Sequence, residues 1–128
     1  ALDHVFGYTI GLDMSDRDLQ SREKQFSRCK SFDTYTPMGP FVYSGVDPGD
    51  LPIELRQNGE VRQKARTSQM IYSVAEIISF ASQSLTLLPG DVILTGTPSG
   101  VGPIRAGDEL EAVIGDWPPL RVSVSKTG

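Results

Sequence analysis

The sequence predicts an α+β fold, rich in strands and carrying one main amphipathic helix. Short alternating apolar segments recur along the 128 residues, separated by turn dipeptides such as Asn58-Gly59 and Pro89-Gly90. One segment, opening at Ser73, keeps helical spacing instead. The strand-like and helix-like segments do not alternate in the regular βαβ order of a parallel sheet. The length suits one domain over residues 1–128 with a core of its own.

Residues 4–10 alternate, with Val5, Phe6, Tyr8 and Ile10, and read as a strand. Ser15, followed three residues later by Asp18, is placed to cap a short exposed helix or turn from Asp16 to about Gln25. Residues 27–40 are polar and aromatic and read as a long loop, a feature that often carries function. A strand at 41–44 and the turn Asp47-Pro48-Gly49-Asp50 follow. Residues 51–57 and 60–67 flank Asn58-Gly59 as a β-hairpin.

Ser73 and Glu76 form a capping box, and Tyr72 and Ile77 are spaced for a hydrophobic staple. Val74, Ile77, Ile78, Ala81 and Leu85 fall on one helix face. After a turn at 89–91, residues 92–94 read as a short buried strand running into the glycine-rich loop 95–102. A turn at 106–108, a strand at 109–114 and a last strand at 120–125 complete the chain.

Bulk properties exclude several function classes. The net charge is −4 with acids and bases interspersed, so no footprint for nucleic acid or an anionic membrane is present. No apolar run is long enough to span a bilayer as a helix. One cysteine, Cys29, excludes an internal disulfide framework and suits a reducing, cytoplasmic setting. The opening at Ala1, directly before strand-like sequence, leads us to expect a piece of a longer protein.

Three places could carry chemistry. Asp13, Asp16 and Asp18 surround a strand-to-helix changeover beside Arg17. Either Asp13 is a ligand for a hard metal ion, or these acids only complement a helix N-terminus. An EF-hand is rejected, because Arg17 stands where an oxygen ligand is required and no glycine follows in time. Lys30, in the long loop, is either a solvated lysine or a fixed positive charge for an enolate. Cys29 lacks a base partner, since the sole histidine, His4, lies in the first predicted strand. The loop 95–102 has glycines at 96, 100 and 102 around Thr97 and can bring backbone N–H groups close to an oxyanion. It is neither a Walker loop nor a nucleophile elbow, because both spacings are missing.

These residues together closely resemble the fumarylacetoacetate hydrolase family. The matching segments are Gly7-Tyr8-Thr9 through Asp13 to Ser15-x-Arg17-Asp18-Leu19-Gln20, then Lys30-Ser31-Phe32-Asp33-Thr34 with Gly39-Pro40. Asn58-Gly59-Glu60 with Gln63 and Met70 follows, and Leu87-x-Pro89-Gly90-Asp91-Val92-Ile93-Leu94-Thr95-Gly96-Thr97-Pro98-x-Gly100-Val101-Gly102 closes the pattern. The resemblance covers nearly the whole chain in order.

It implies a mixed β-roll, a homodimer, and a divalent cation, Mg²⁺ first and otherwise Mn²⁺ or Ca²⁺. The implied activity is metal-dependent hydrolysis of C–C bonds in small oxo-acids through an enolate. An oxaloacetate-type decarboxylase or a 2-hydroxyhepta-2,4-diene-1,7-dioate-type isomerase is the alternative. By position, Asp13 is the implied metal ligand, Arg17, Gln20 and Thr97 the substrate-binding residues, and Lys30 the catalytic lysine. The family's Glu-x-Glu metal ligands belong upstream of Asp13, where this chain has no matching residues; Glu109-x-Glu111 copies the spacing at the wrong end. A catalytically inactive fold fragment with an incomplete metal site is therefore the rival expectation. Leu12 and Asp16 also depart from the common pattern, next to and near the implied ligand.

Overall fold

The structure is a computed structural model and describes residues 1–126. Two antiparallel sheets carry the fold. In the first, β1 (Tyr8–Gly11) pairs with β2 (Met38–Tyr43), setting Tyr8 opposite Tyr43 and Gly11 opposite Met38. The second contains β3 (Pro52–Gln57), β4 (Glu60–Arg66), β5 (Glu109–Ile114) and β6 (Leu120–Ser123) in the order β4-β3-β5-β6. Asn58 and Gly59 both take positive φ, 52° and 81°, the backbone that lets a two-residue turn match strand twist.

Strand alternation explains where the core sits. Ala112 and Leu120 are buried in the second sheet, and Ile10 of β1 packs with them. Leu12, Leu55, Ile114, Trp117 and Val122 surround this cluster. Side chains one position out of phase point to the opposite face and include Glu54, Arg56, Glu111 and Arg121. There Arg121 binds Glu111 at 2.8 Å and Arg56 binds Glu54 at 2.5 Å, across or along the strands. Glu111 is thus occupied by a cross-strand pair, and Glu109 accepts from Ser123 Oγ at 2.9 Å. The sheets are also joined by Tyr43 stacked on Trp117, with ring centroids 4.2 Å apart. Gly7 permits the approach beside that stack, since a Cβ there would lie 2.7 Å from the Tyr43 carbonyl oxygen.

The helices are α1 (Arg17–Arg22), the single turn α2 (Ser27–Lys30) and α3 (Val74–Ser84). At α3 the capping box forms as the sequence predicts: Ser73 Oγ accepts from the Glu76 amide, and Glu76 Oε2 accepts from the Ser73 amide at 2.7 Å. Val74, Ile77, Ile78 and Ala81 are half-buried, whereas Leu85 ends the helix exposed.

Four expectations are corrected. The cap of α1 is Asp16, not Ser15; its Oδ1 accepts from the amides of Asp18 and Leu19, both at 3.0 Å. A carboxylate one residue nearer the helix reaches two orphan donors at once. Residues 92–94 form no strand, and Val92 and Leu94 are exposed, because this apolar run finds no neighbouring strand to pair with. The stretch 27–40 is not one long loop, since α2 opens it and β2 begins at Met38. At the start, residues 2–4 make a 3₁₀ turn, and the strand begins only at Tyr8.

Candidate active site

The polypeptide leaves β1 at Gly11 and remains tethered beyond it. The Leu12 amide donates to the Pro37 carbonyl at 3.0 Å and the Met14 amide to the Tyr35 carbonyl at 2.9 Å. These bonds extend the β1–β2 ladder and hold the backbone on both sides of Asp13. Two residues later the Asp16 amide donates to the Cys29 carbonyl at 2.9 Å, which pins the end of α2 against the start of α1. Cys29 itself is fully buried, with Sγ 2.9 Å from the Phe26 carbonyl, and acts as an anchor for this turn.

The next residue, Lys30, meets Asp13. Its Nζ forms an ion pair and hydrogen bond with Asp13 Oδ2. The two side chains keep 36% and 37% of their surface in solvent, so the pair is reachable from outside. One turn into α1, Arg17 Nη1 donates to Gln20 Oε1, so two more of the sequence-predicted residues act on each other. Asp18 contributes only its carbonyl, which accepts from Ser21 Oγ at 2.8 Å.

The glycine-rich loop approaches the same strand end. A Cβ on Gly11 would lie 2.9 Å from Leu94 Cδ2, so Leu94 sits over the residue that leads to Leu12 and Asp13. Three residues further on, Thr97 is exposed, and its partner is a residue of β4: Gln63 Nε2 donates to Thr97 Oγ1 at 2.7 Å. The structure therefore unites Asp13 with Lys30 and Arg17 with Gln20, and ties Thr97 to Gln63. Gln63 received no role from the sequence. Its signal is positional: it is a buried polar residue in register with Leu55, where alternation calls for an apolar one.

A carboxylate and an ammonium paired at a tethered strand end, with a guanidinium in the helix that follows, are groups able to orient a small anion and balance charge that develops on its oxygens. Among the described residues, no three His, Cys, Asp or Glu side chains gather to hold a metal ion. No described helix is long and apolar enough to cross a membrane.

The model of the fumarylacetoacetate hydrolase C-terminal family matches residues 1–125. The oxaloacetate tautomerase YisK of Bacillus subtilis is 48% identical over 124 residues, covering 89% of this chain and 41% of YisK. The structure of a 2-hydroxyhepta-2,4-diene-1,7-dioate isomerase from Mycobacterium marinum superposes with a TM-score of 0.97 at 48% identity, over 100% of this chain and 51% of that one. A fumarylacetoacetate hydrolase from Exiguobacterium antarcticum superposes with a TM-score of 0.93 at 41% identity, over 98% and 49% of the two chains. The chain spans about half the length of the curated relatives it matches. From sequence and fold alike, this chain belongs to the fumarylacetoacetate hydrolase family.

Proposed function

We propose that the protein interconverts keto and enol forms of a small 2-oxo-acid, with oxaloacetate as the model substrate. The observation that carries this reading is the Asp13–Lys30 pair, solvent-reachable at the end of β1. An oxo-acid presents a carboxylate next to a carbonyl; loss of a proton from the neighbouring carbon to a water base leaves negative charge on the carbonyl oxygen, and that oxygen takes up a proton from water to complete the enol. Asp13 fixes the Lys30 ammonium, which balances that charge without having to reorganise. Arg17 and Gln20 hold a carboxylate from the first turn of α1, and Thr97 binds from the glycine-rich loop. Support comes from YisK, an oxaloacetate tautomerase, and from the Mycobacterium marinum isomerase. Hydrolysis of a C–C bond is the second reading, supported by the fumarylacetoacetate hydrolase neighbour; there water adds to the acyl carbonyl, and the C–C bond then breaks to release a carboxylic acid and an enolate that takes up a proton.

A divalent cation, Mg²⁺ first, belongs to the proposal through Asp13. The residues present fit it only in part. Asp13 is a hard oxygen donor on a fixed strand end, but it is the one carboxylate at the pair and its Oδ2 faces Lys30. Asp13 supplies one ligand of a set that these residues do not complete.

Enol decay of oxaloacetate, followed by ultraviolet absorbance in the full protein, tests the reading. The proposal predicts acceleration over buffer and the loss of that acceleration in Asp13→Ala. Release of pyruvate from an acylpyruvate, without tautomerisation, moves the assignment to the hydrolytic reading. Indifference to both substrates contradicts it.

A homodimer completes the proposal. Phe41 and Val42 on β2 are each 57% exposed, and Phe80 of α3 is 75% exposed, an amount of open apolar surface that association would cover. Sedimentation equilibrium should return twice the chain mass; a single-chain mass at micromolar concentration argues against it.

A further inference from the structure

Gln63 is the one buried polar side chain among the described residues, and both hydrogens of its amide nitrogen are committed. Nε2 donates to Thr97 Oγ1 and to the Pro98 carbonyl oxygen, each at 2.7 Å. The second bond fixes the orientation of the amide, because a carbonyl oxygen only accepts and the nitrogen must face it. The first bond then fixes the role of the threonine. A hydroxyl that accepts from an N–H keeps its own proton free to donate elsewhere.

The loop is also seated on β4 next to this residue. A Cβ on Gly100 would lie 2.1 Å from the Arg62 carbonyl oxygen and 3.2 Å from Gln63 Cγ, and Gly100 has a φ of 102°. Only glycine lets the loop lie this close, so the Gln63–Thr97 bond forms on a fixed base rather than between two mobile partners.

We propose that Gln63 is a positioning residue: by filling the acceptor side of the Thr97 hydroxyl, it makes that hydroxyl a dedicated donor to an anionic oxygen of the bound oxo-acid. The proposal rests on the reading of Thr97 as a substrate contact. A glutamine at this place is chosen over a carboxylate, which would accept the threonine proton and turn the donor away from the ligand. It is also chosen over an apolar residue, which would leave Thr97 free to rotate and the Pro98 carbonyl without its donor.

The test measures oxaloacetate KM and kcat in the full protein, with pyruvate binding by calorimetry as a readout that does not depend on turnover. Gln63→Glu should raise KM and the pyruvate Kd about tenfold or more, the scale of one hydrogen bond to a charged group, with a smaller change in kcat. Thr97→Val should weaken pyruvate similarly and Thr97→Ser should restore it. Adding Gln63→Met to Thr97→Val should cost little further, because the two residues act through one bond. Where Gln63→Glu fails to fold, Gln63→Met alone carries the same prediction for the pyruvate Kd. The inference is overturned if folded Gln63 variants bind pyruvate like the unsubstituted protein while Thr97→Val does not. If the unsubstituted protein neither binds pyruvate nor turns over oxaloacetate, the functional reading fails and this inference with it.

Discussion

Asp13 and Asp16 are three residues apart, yet their oxygens face different partners. Asp16 turns back onto the α1 amides of Asp18 and Leu19, while Asp13 faces Lys30. Asp16→Ala should therefore lower stability by about 1 kcal/mol, the usual worth of an N-cap, measurable as a shift in the urea midpoint. An unchanged midpoint would mean that the cap contributes nothing beyond solvation. The sequence placed the cap at Ser15, because Ser15 and Asp18 imitate a capping box and nothing local distinguishes adjacent hydroxyl and carboxylate caps. The family resemblance singled out Asp13 as the implied ligand but gave Asp16 no capping role. The meeting of Asp13 with Lys30 lies beside the Asp16–Cys29 backbone bond, a contact between segments that no local pattern encodes.

Among the elements, the β3–β4 hairpin and the capped α3 were legible, because Asn58-Gly59 and the Ser73–Glu76 pair each fix a backbone geometry with few alternatives. Residues 92–94 misled for the opposite reason: a short apolar run is a strand only when another strand lies beside it. At the far end of the hairpin, Arg66 on β4 clasps Asp50, with Nε–Oδ1 at 2.6 Å, and Ser68 adds a bond to the same oxygen at 2.7 Å. The Arg66 side-chain bond, then that of Ser68, lowers the Asp50 carboxyl from 3.8 to about 2. A carboxyl depressed by folding contributes stability that is present above its unfolded value and lost as pH falls through the folded one. The melting temperature should accordingly fall between about pH 4 and pH 2, and Asp50→Asn should flatten that part of the profile. An identical acid profile in the variant would show that the clasp is not linked to folding.

At the scale of the molecule, one inward cluster around Ile10, Ala112 and Leu120 joins the sheets just before β1 ends at Gly11. That end carries Asp13, and the anchored turn at Cys29 delivers Lys30 to it. The loop holding Thr97 is seated from the other side by β4. Fold and candidate site are thus joined at a strand end tethered on both sides of Asp13 and paired there with Lys30. The most direct measurement is kcat/KM for oxaloacetate tautomerisation by Lys30→Met in the full protein, with folding verified by its melting temperature. The account predicts a loss of about 100-fold or more, the scale of removing one preorganised charge-stabilising group. A folded Lys30→Met protein that turns over oxaloacetate at the unsubstituted rate would contradict it.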